Sequence, residues 1–437
     1  MSNKNKEKNT ALKQCVQPKL RFPEFQDLEG WINDNLGSLY TFITTNCYSR
    51  DKLNYKNGIV RNIHYGDIHK KFNALFDIKK EIVPFVNETE NIEKLKSDSY
   101  CIKGDIIFAD ASENMDDVGK SIEIVNLHNE KLLAGLHTIL ARPKGQKFIV
   151  GFGGYLFQSK MIRTQIKKQA QGTKVFGISA SRLATIEIFY PLEKEQQKIA
   201  DCLSSIDELI TAESKKLDAL KIYKKGLMQQ LFPAEGETLP KLRFPEFKSA
   251  GNWEIKLLGN LIKYKNGIAH EQNISDIGKY IVVNSKFIST EGEVRKFTND
   301  GLCIVQKGNI LMVLSDVPNG KAIAKCFLVD RDDFYTVNQR ICIINPEKNI
   351  SEFIYYTIDR NPFYLNFDDR VKQTNLRKDE VLSCPIAVPP SKKEQQKIAE
   401  VIASVDDFIM NQIKKVNTLK NHKKGLMQQL FPAISEL

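Results

Sequence analysis

One segment of the chain occurs twice, and this repeat constrains the fold more than any other feature of the 437-residue sequence. About 25 of 41 positions are identical between residues 194–234 and residues 393–433. The eight-residue sequence Pro-Lys-Leu-Arg-Phe-Pro-Glu-Phe also occurs twice, at residues 18–25 and 240–247, and each copy precedes one of the two tryptophans. Similarity over two separate segments indicates two tandem copies of one structural plan.

The longer repeat carries apolar residues at alternating spacings of three and four, which predicts a long helix with a heptad seam. Polar residues interrupt the seam at the same two places in each copy, at Glu213 and Lys224 and at Gln412 and Lys423. A proline precedes each predicted helix and a Phe-Pro pair ends it. The predicted seam residues are Ile199, Leu203, Ile206, Ile210, Leu217, Leu220, Leu227 and Leu231, and Ile398, Ile402, Val405, Ile409, Val416, Leu419, Leu426 and Leu430.

A narrow apolar stripe over about five heptads requires a partner helix, and the other copy is present in the same chain. We therefore expect an antiparallel coiled coil with approximate twofold symmetry, and the alternative is that each helix packs only on its own domain. Between the repeats, residues 37–190 and 259–388 correspond at scattered positions only. Two divergent middle segments, each flanked by closely repeated segments, are typical of paired recognition modules.

The predicted fold is mixed α/β (α+β), because short apolar runs bounded by turn residues alternate with helical patterns. Strands are predicted at residues 105–108, 131–140, 281–283, 309–314 and 340–344, and helices are predicted to begin near Lys147 and Ser351. The expected segments are a polar tail (1–17), a first recognition module (18–190), a first helix (191–233), a linker with the repeated lead-in and the second module (234–389), and a second helix (390–437).

Composition narrows the class of partner. The chain has 64 Lys and Arg against 53 Asp and Glu, a formal net charge of +11, which favours a polyanionic partner. No stretch approaches the ~18 consecutive apolar residues of a membrane span, and the first residues lack the apolar core of a secretory signal, so we expect a cytoplasmic protein. The eight cysteines are not clustered, which predicts neither a zinc site nor a disulfide framework.

Two basic segments at matched positions are the best candidates for DNA contact. Arg, Gln and Asn are suited to reading base edges, whereas Lys and Thr are suited to phosphates. A solvated basic loop is the alternative for either segment alone. The candidates are Arg163, Gln165, Lys167, Lys168, Gln169, Gln171, Thr173 and Lys174 in the first copy, and Arg370, Lys372, Gln373, Asn375, Arg377 and Lys378 in the second. Weaker candidates, which fit ordinary turns equally well, are Arg61, His64, Tyr65, Asn284, Lys286, Asn338, Gln339 and Arg340.

The sequence contains only partial matches to the catalytic motifs of known enzymes. Residues 361–364 (Asn-Pro-Phe-Tyr) differ by one letter from the tetrad with which amino-methyltransferases hold a flipped adenine, but the glycine cluster at 151–154 lies in the other copy. We therefore interpret Asn361 as a helix cap. No ATP-binding P-loop occurs, and carboxylates such as Asp110 and Glu113 have no clear equivalents in the second copy. We expect no catalytic residues, and a stand-alone DNA adenine methyltransferase or nuclease is the alternative.

The whole plan resembles the specificity subunit of a type I restriction–modification system. The resemblance rests on two variable modules, each preceded by the repeated lead-in and followed by a heptad helix. Each helix carries Glu-Gln-Gln-Lys-Ile-Ala near its start and ends in Gly-Leu-Met-Gln-Gln-Leu-Phe-Pro. The resemblance covers essentially the whole chain after the polar tail.

The resemblance implies that each module is a target recognition domain that reads one half of a split, asymmetric double-stranded DNA sequence. The two helices would form an antiparallel coiled coil that sets the spacing and docks two methyltransferase subunits, and motor–endonuclease subunits would join for cleavage. The chain itself would be non-catalytic and would bind no cofactor or metal. S-adenosylmethionine, ATP and Mg would be used by the partner subunits, and no base-contacting residue carries over from the family by motif.

Overall fold

The computed structural model describes residues 16–92, 95–317, 320–368 and 371–433, and the chain divides by its internal contacts into two compact units. Unit 1 contains residues up to Ser214 together with those from Lys415 onward, and unit 2 contains Lys215–Lys414. Each unit therefore combines one α/β module with segments of both long helices. Residues 1–15 of the polar tail and the candidate Arg370 lie outside the described residues.

Unit 1 is a mixed α/β module. Its strands are β1 (Ile32–Asn35), β2 (Tyr40–Ile43), β3 (Leu53–Asn54), β4 (Val60–Ile63), β5 (Leu75–Asp77), β6 (Phe85–Val86), β7 (Ile106–Ala109), β8 (Ala111–Ser112), β9 (Ser121–Asn126), β10 (Lys131–Ala134), β11 (Thr138–Pro143), β12 (Phe176–Gly177) and β13 (Glu187–Tyr190). Its helices are α1 (Leu36–Leu39), α2 (Tyr65–Lys70), α3 (Phe152–Leu156), α4 (Lys160–Gln169), α5 (Ala180–Ala184) and the first part of α6 (Glu193–Leu231).

The central strand of the largest sheet of unit 1 is β7, whose four residues are all buried. The largest sheet has the order β2-β11-β7-β9-β5, and a second sheet has the order β10-β4-β6-β3, in which β4 and β10 run parallel. Two short antiparallel pairs complete the module, β1 with β13 and β8 with β12. Aromatic residues such as Trp31, Phe152 and Phe157 fill the main core together with Ile199 and Leu203 of α6.

Unit 2 repeats this arrangement with fewer strands. Its strands are β14 (Glu254–Leu257), β15 (Ile262–Asn266), β16 (Tyr280–Val283), β17 (Phe297–Thr298), β18 (Ile310–Val313), β19 (Ser315–Asp316), β20 (Cys326–Leu328), β21 (Tyr335–Val337), β22 (Ile341–Pro346), β23 (Thr374–Asn375) and β24 (Pro385–Val388). Its helices are α7 (Ser285–Ser289), α8 (Ser351–Ile358), α9 (Pro362–Leu365), α10 (Lys378–Leu382) and most of α11 (Lys392–Leu430), whose remainder belongs to unit 1.

The sheet orders of the two units correspond. The order β15-β22-β18-β20 matches β2-β11-β7-β9, and the β17-β16-β21 sheet contains a parallel pair, β16 with β21, that matches β4 with β10. The pairs β14·β24 and β19·β23 match β1·β13 and β8·β12. The structure therefore shows that the divergent middle segments share one fold, which their sequences indicate only faintly.

Most of the predicted elements are confirmed, and two predictions are wrong in detail. The run 131–140 is two strands, because Gly135 and a left-handed His137 (φ 55°) turn the chain between β10 and β11. The helix predicted near Lys147 begins at Phe152, after Gly151 with φ 105°. The basic segment 163–174 is not wholly the loop of the alternative interpretation, since α4 extends to Gln169 and the first seven residues of the segment are helical.

Candidate DNA interface and helix junctions

The predicted seam residues lie on two long helices, α6 and α11. Both long helices contain 39 residues, and all sixteen apolar seam residues are buried or half-buried. Within unit 1, Lys423 forms an ion pair with Asp207 and Lys415 forms one with Glu213, each at 2.6 Å. Because the partner number falls on α11 as the residue number rises on α6, the two helix segments are antiparallel. In unit 2, the same geometry pairs Lys224 with Asp406, while Leu231 shares a core with Ile398.

In unit 1, the repeated sequence segments meet at one place, which we call the helix junction. The Arg21 guanidinium donates two hydrogen bonds to the Glu195 carboxylate at 2.7 and 2.9 Å, and Trp31 Nε1 donates to the same carboxylate at 3.4 Å. Phe431, at the end of α11, packs edge-on against Trp31 with ring centroids 5.9 Å apart. Leu20 N–H donates to the carbonyl of Gln429 at 2.9 Å. The lead-in, the start of α6 and the end of α11 thus form one buried cluster.

The helix junction of unit 2 uses the equivalent residues. Arg243 donates two hydrogen bonds to Glu394 at 2.7 and 2.8 Å, and Trp253 Nε1 donates to Glu394 at 3.2 Å. Phe232, at the end of α6, lies against Trp253 with a centroid distance of 6.4 Å. The repeated Glu-Gln, lead-in and Phe-Pro sequences are therefore explained by one set of contacts, made once in each unit.

Two of the polar interruptions of the seam belong to what we call the polar triads. In unit 1, Tyr155 Oη donates to Asp207 at 2.8 Å, and the ammonium of Lys423 lies 2.6 Å from Asp207 and 5.2 Å from the centre of the Tyr155 ring. Burial and the neighbouring Asp207 carboxylate both raise the pKa of Tyr155 well above its ordinary value, so it remains a donor. The triad joins the module to both helices.

The second triad consists of Tyr356, Asp406 and Lys224. Tyr356 Oη donates to Asp406 at 3.0 Å, and Lys224 lies 2.6 Å from Asp406 and 5.2 Å from the Tyr356 ring centre. Asp207 and Asp406 occupy the same position of the repeat, which is the signal by which the sequence could have revealed them.

In unit 2, three of the predicted DNA-contact segments are brought to one edge. Since β16 and β21 run parallel, their carboxyl ends adjoin, and Asn338 N–H donates to the carbonyl of Val283 at 3.0 Å. Asn284 caps α7 by accepting from Phe287 N–H at 2.9 Å. The segment at β23 joins them, because Leu314 N–H donates to the carbonyl of Arg340 at 3.0 Å and the adjacent Ser315 Oγ accepts from Gln373 Nε2 at 2.7 Å. We call the resulting surface the strand-end face of unit 2, formed by Asn284, Lys286, Gln339, Arg340, Gln373 and Asn375.

Four remaining described candidates of unit 2 are not part of this face. Lys372 is exposed in the segment leading to β23. Arg377 pairs with Glu380 at 2.8 Å at the start of α10, and the Lys378 ammonium lies 5.5 Å from the centre of the Tyr264 ring. Asn338 is buried at the end of β21, so its side chain is less accessible than those of Gln339 and Arg340.

The strand-end face of unit 1 is built in the same way from different residues. It is formed by His64, Tyr65, Asp110, His137 and Gln171. The rings of His64 and His137 lie 4.6 and 5.2 Å from that of Tyr65. Asp110 N–H donates to the carbonyl of His137 at 3.0 Å, and its carbonyl accepts from Ile178 N–H at 2.8 Å. Sequence reasoning missed Asp110 and His137 at this site, since their proximity depends on the pairing of β7 with β11.

Three residues of this face, Asp110, His137 and Gln171, line a cavity of about 470 Å³ together with Ser179, Arg182 and others. The Asp110 carboxylate lies 3.2 Å from His137 Nδ1. Burial raises the pKa of Asp110, and the neighbouring His137 opposes that shift. Thr173 and Lys174 are exposed in the loop beside this cavity, between α4 and β12.

Four of the predicted contacts in unit 1 have structural partners instead. Arg163 donates to the carbonyls of Asp116 and Val118 at 2.9 and 2.6 Å, and its burial lowers the pKa of the guanidinium. Gln165 exchanges two hydrogen bonds with the backbone of Glu187, and Lys167 is paired with Asp116. Arg61 donates to Val83 O at 2.9 Å and pairs with Glu130. Lys168 is exposed on α4, and Gln169 is half-buried at its end.

The structure confirms the interpretation of Asn361 as a helix cap. Its Oδ1 accepts from Phe363 N–H at 2.9 Å at the start of α9, and its Nδ2 donates to Thr357 O at 2.9 Å. Its amide is therefore occupied by its own backbone. Among the described residues, no group of three or more His, Cys, Asp or Glu side chains is placed to hold a metal ion. None of the helices within the described ranges has the length and apolar character needed to cross a membrane.

The chain is similar to known proteins both in sequence and in structure. Residues 29–221 and 250–421 each match the family described as type I restriction modification DNA specificity domain. The putative type I restriction enzyme MjaX specificity subunit of Methanocaldococcus jannaschii is 26% identical over 343 residues, which cover 76% of this chain and 78% of that protein. The MjaVIII specificity subunit of the same organism is 26% identical over 300 residues, covering 63% and 69%.

Among solved structures, the chain is similar to the type I restriction-modification system S subunit from M. genitalium, with a TM-score of 0.59 and 15% identity over 96% of this chain and 100% of that one. A chain from a structure of a type I R-M system, concerned with complex assembly and conformational transition, gives a TM-score of 0.53 and 13% identity, and covers 95% and 100%. At these identities, the structural likeness shows a common fold.

Proposed function

Because the chain belongs to the family of type I restriction modification DNA specificity domains, with two matches that together span most of its length, we propose that it is the non-catalytic DNA-specificity subunit of a type I restriction–modification complex. Its relatives in M. jannaschii are specificity subunits of type I restriction enzymes. The net charge of +11 favours double-stranded DNA as its direct ligand.

Each unit reads one half of a bipartite target through its strand-end face. The observation that supports this proposal is that the two strand-end faces share a backbone arrangement but differ in the side chains placed on it. Both units bring three chain segments to the same edge, but the residues there are His64, Tyr65 and Asp110 in one and Lys286 and Arg340 in the other. Faces that present different donors and acceptors select different bases, so the target is asymmetric.

The antiparallel helix pair sets the spacing of the two half-sites and docks two methyltransferase subunits, and motor–endonuclease subunits complete the complex. The paired contacts at the helix junctions support a scaffold role, since each helix is fixed at both of its ends to a module. Adenine methylation with S-adenosylmethionine and DNA cleavage with ATP and Mg are performed by the partner subunits, in the cytoplasm. This chain supplies no cofactor site.

Co-expression with the methyltransferase subunits of the same system, followed by mapping of methylated adenines, tests the proposal. We expect methylation at one asymmetric sequence with two specified halves and an unspecified spacer. Replacing residues 37–190 with the equivalent segment of another specificity subunit should change one half-site only, and replacing residues 259–388 should change the other.

A change of both half-sites by either replacement would contradict separate reading by the two units. The purified chain, incubated alone with labelled S-adenosylmethionine and DNA, serves as the control for intrinsic activity. We expect no transfer without the methyltransferase subunits, and turnover by the chain alone would identify a stand-alone enzyme.

A further inference from the structure

The strand-end face of unit 1 contains an acidic side chain that its equivalent in unit 2 does not. Asp110 N–H bonds to the carbonyl of His137, and its carbonyl bonds to Ile178 N–H. In unit 2, Leu314 makes the same two backbone contacts, with Arg340 and Leu376. Asp110 therefore stands where unit 2 has Leu314, and His137 stands where unit 2 has Arg340.

A carboxylate on a surface that meets DNA is unfavourable unless it has a specific partner, because phosphates repel it. On base edges, the partner suited to a carboxylate is the exocyclic amino group of cytosine, N4, which donates into the major groove. Asp110 is the one acidic side chain among the described residues that line the cavity, and the other polar residues there, such as Gln171, Ser179 and Arg182, can donate. The carboxylate thus supplies an acceptor within a set of donors.

The geometry holds this acceptor in place while leaving it accessible. His137 Nδ1 lies 3.2 Å from one Asp110 oxygen, and the Asp110 side chain is 31% exposed. The backbone of His137 is left-handed, with φ 55°, a conformation that is strained for a residue other than glycine. The hydrogen bond from Asp110 N–H to His137 O fixes this strained turn beside the carboxylate.

We infer that Asp110 is a specificity-determining residue, which accepts a hydrogen bond from the N4 amino group of a cytosine in the half-site read by unit 1. His137 is a positioning residue that orients the carboxylate. The inference rests on the proposed function and names one base contact within it. Unit 2, with Leu314 at this place, makes no equivalent contact with a cytosine.

The experiment uses the full chain in complex with its methyltransferase subunits and a DNA library in which both half-sites are randomised. Asp110→Leu introduces the residue of unit 2 and removes the acceptor, so the cytosine preference at one position should fall about tenfold. Asp110→Asn replaces the carboxylate with an amide, which suits adenine N6 and N7, so the same position should shift toward adenine. The other half-site should be unchanged in both variants.

Asp77→Asn is the matched control. Asp77 also pairs with a histidine, His128 Nε2 at 2.9 Å, but it lies in β5 beside Asn126, at the end of β9 that is opposite to the end near Asp110. This variant should leave both half-sites unchanged. Retention of the second half-site also shows that a variant has folded and assembled.

The outcomes separate the two proposals. If the unaltered complex methylates no bipartite sequence, the proposed function is wrong. If it does, but Asp110→Leu and Asp110→Asn leave the first half-site as it was, only the role of Asp110 is wrong. An equal change at a position that specifies a base other than cytosine would also overturn the inference.

Discussion

The helix junctions and the strand-end faces of the two units differ in how far they have diverged. At the junctions, Arg21, Trp31 and Glu195 are matched residue for residue by Arg243, Trp253 and Glu394, with hydrogen bonds of nearly the same length. At the faces, the backbone contacts are matched but the side chains are not. The scaffold contacts have thus been kept in both copies, while the side chains placed to read a ligand are free to differ.

This contrast assigns separate energetic roles to the two regions. The junction carboxylates are almost fully buried and satisfied by three donors each, so their loss must affect stability. Most face residues of unit 2 are exposed, whereas in unit 1 His137 and Gln171 are exposed, Asp110 is half-buried and His64 is buried. Replacement of the exposed residues should change ligand selection with little effect on stability.

The largest effect is expected from Glu195→Ala. Its removal leaves the buried Arg21 guanidinium and the Trp31 Nε1 donor without their partner, which costs about 3–5 kcal/mol for a broken buried pair. Glu394→Ala should have a similar effect on unit 2, since Glu394 is equally buried. Denaturant unfolding measures the loss, and hydrogen exchange assigns it to a unit.

Glu193→Ala is the control, since Glu193 is exposed in the first turn of the same helix. It should change the free energy of unfolding by less than about 0.5 kcal/mol. Unequal losses for Glu195→Ala and Glu394→Ala would show that the two junctions are not energetically equivalent despite their common geometry.

Glu123 of unit 1 has an apolar counterpart in unit 2, and this difference predicts a pH dependence near neutrality in unit 1. Glu123 is buried and accepts hydrogen bonds from the N–H groups of Gly151 and Gly154, and burial raises its pKa to about 7 in spite of these bonds. In the corresponding strand of unit 2, Leu328 pairs with Ile310 as Glu123 pairs with Ile106.

Because the pKa of Glu123 is raised on folding, its contribution to stability is complete below the unfolded value near 4.5 and is lost as the pH rises through 7. Unit 1 should lose at most about 1.4 kcal/mol per pH unit across this range, relative to Glu123→Gln, which cannot titrate. Hydrogen exchange from pH 5 to 8 reports each unit. An identical slope in the variant would show that Glu123 does not titrate in this window.

The sequence was sufficient to predict the long helices and their seam, because these depend on local periodicity and on the repeat. It was insufficient for the strand-end faces. His64 and His137 are separated by 73 positions, and both contact the ring of Tyr65 because β4 and β10 pair in parallel, a pairing that no local pattern encodes. For Arg163, the local sequence predicted a DNA contact because its neighbours are basic. Its guanidinium instead donates hydrogen bonds to the carbonyls of Asp116 and Val118.

The smallest effect on the free energy of unfolding is expected at the polar triads. Their lysines interrupt the apolar seam, so this effect tests whether such an interruption stabilises the helix pair. Lys423 and Asp207 are partly exposed, with 21% and 34% of their side chains accessible, so solvent screens the ion pair. A double-mutant cycle with Lys423→Met and Asp207→Asn should give a coupling of about 1 kcal/mol in the free energy of unfolding.

The corresponding cycle with Lys224→Met and Asp406→Asn should give a similar value, since the lysine distances are equal and the tyrosine hydrogen bonds differ by only 0.2 Å. The Lys415–Glu213 pair serves as the comparison, because it lies on the same helices without a tyrosine. If its coupling equals that of the triads, then the ring contact and the tyrosine hydroxyl add nothing, and the lysines in the seam act only as surface charges.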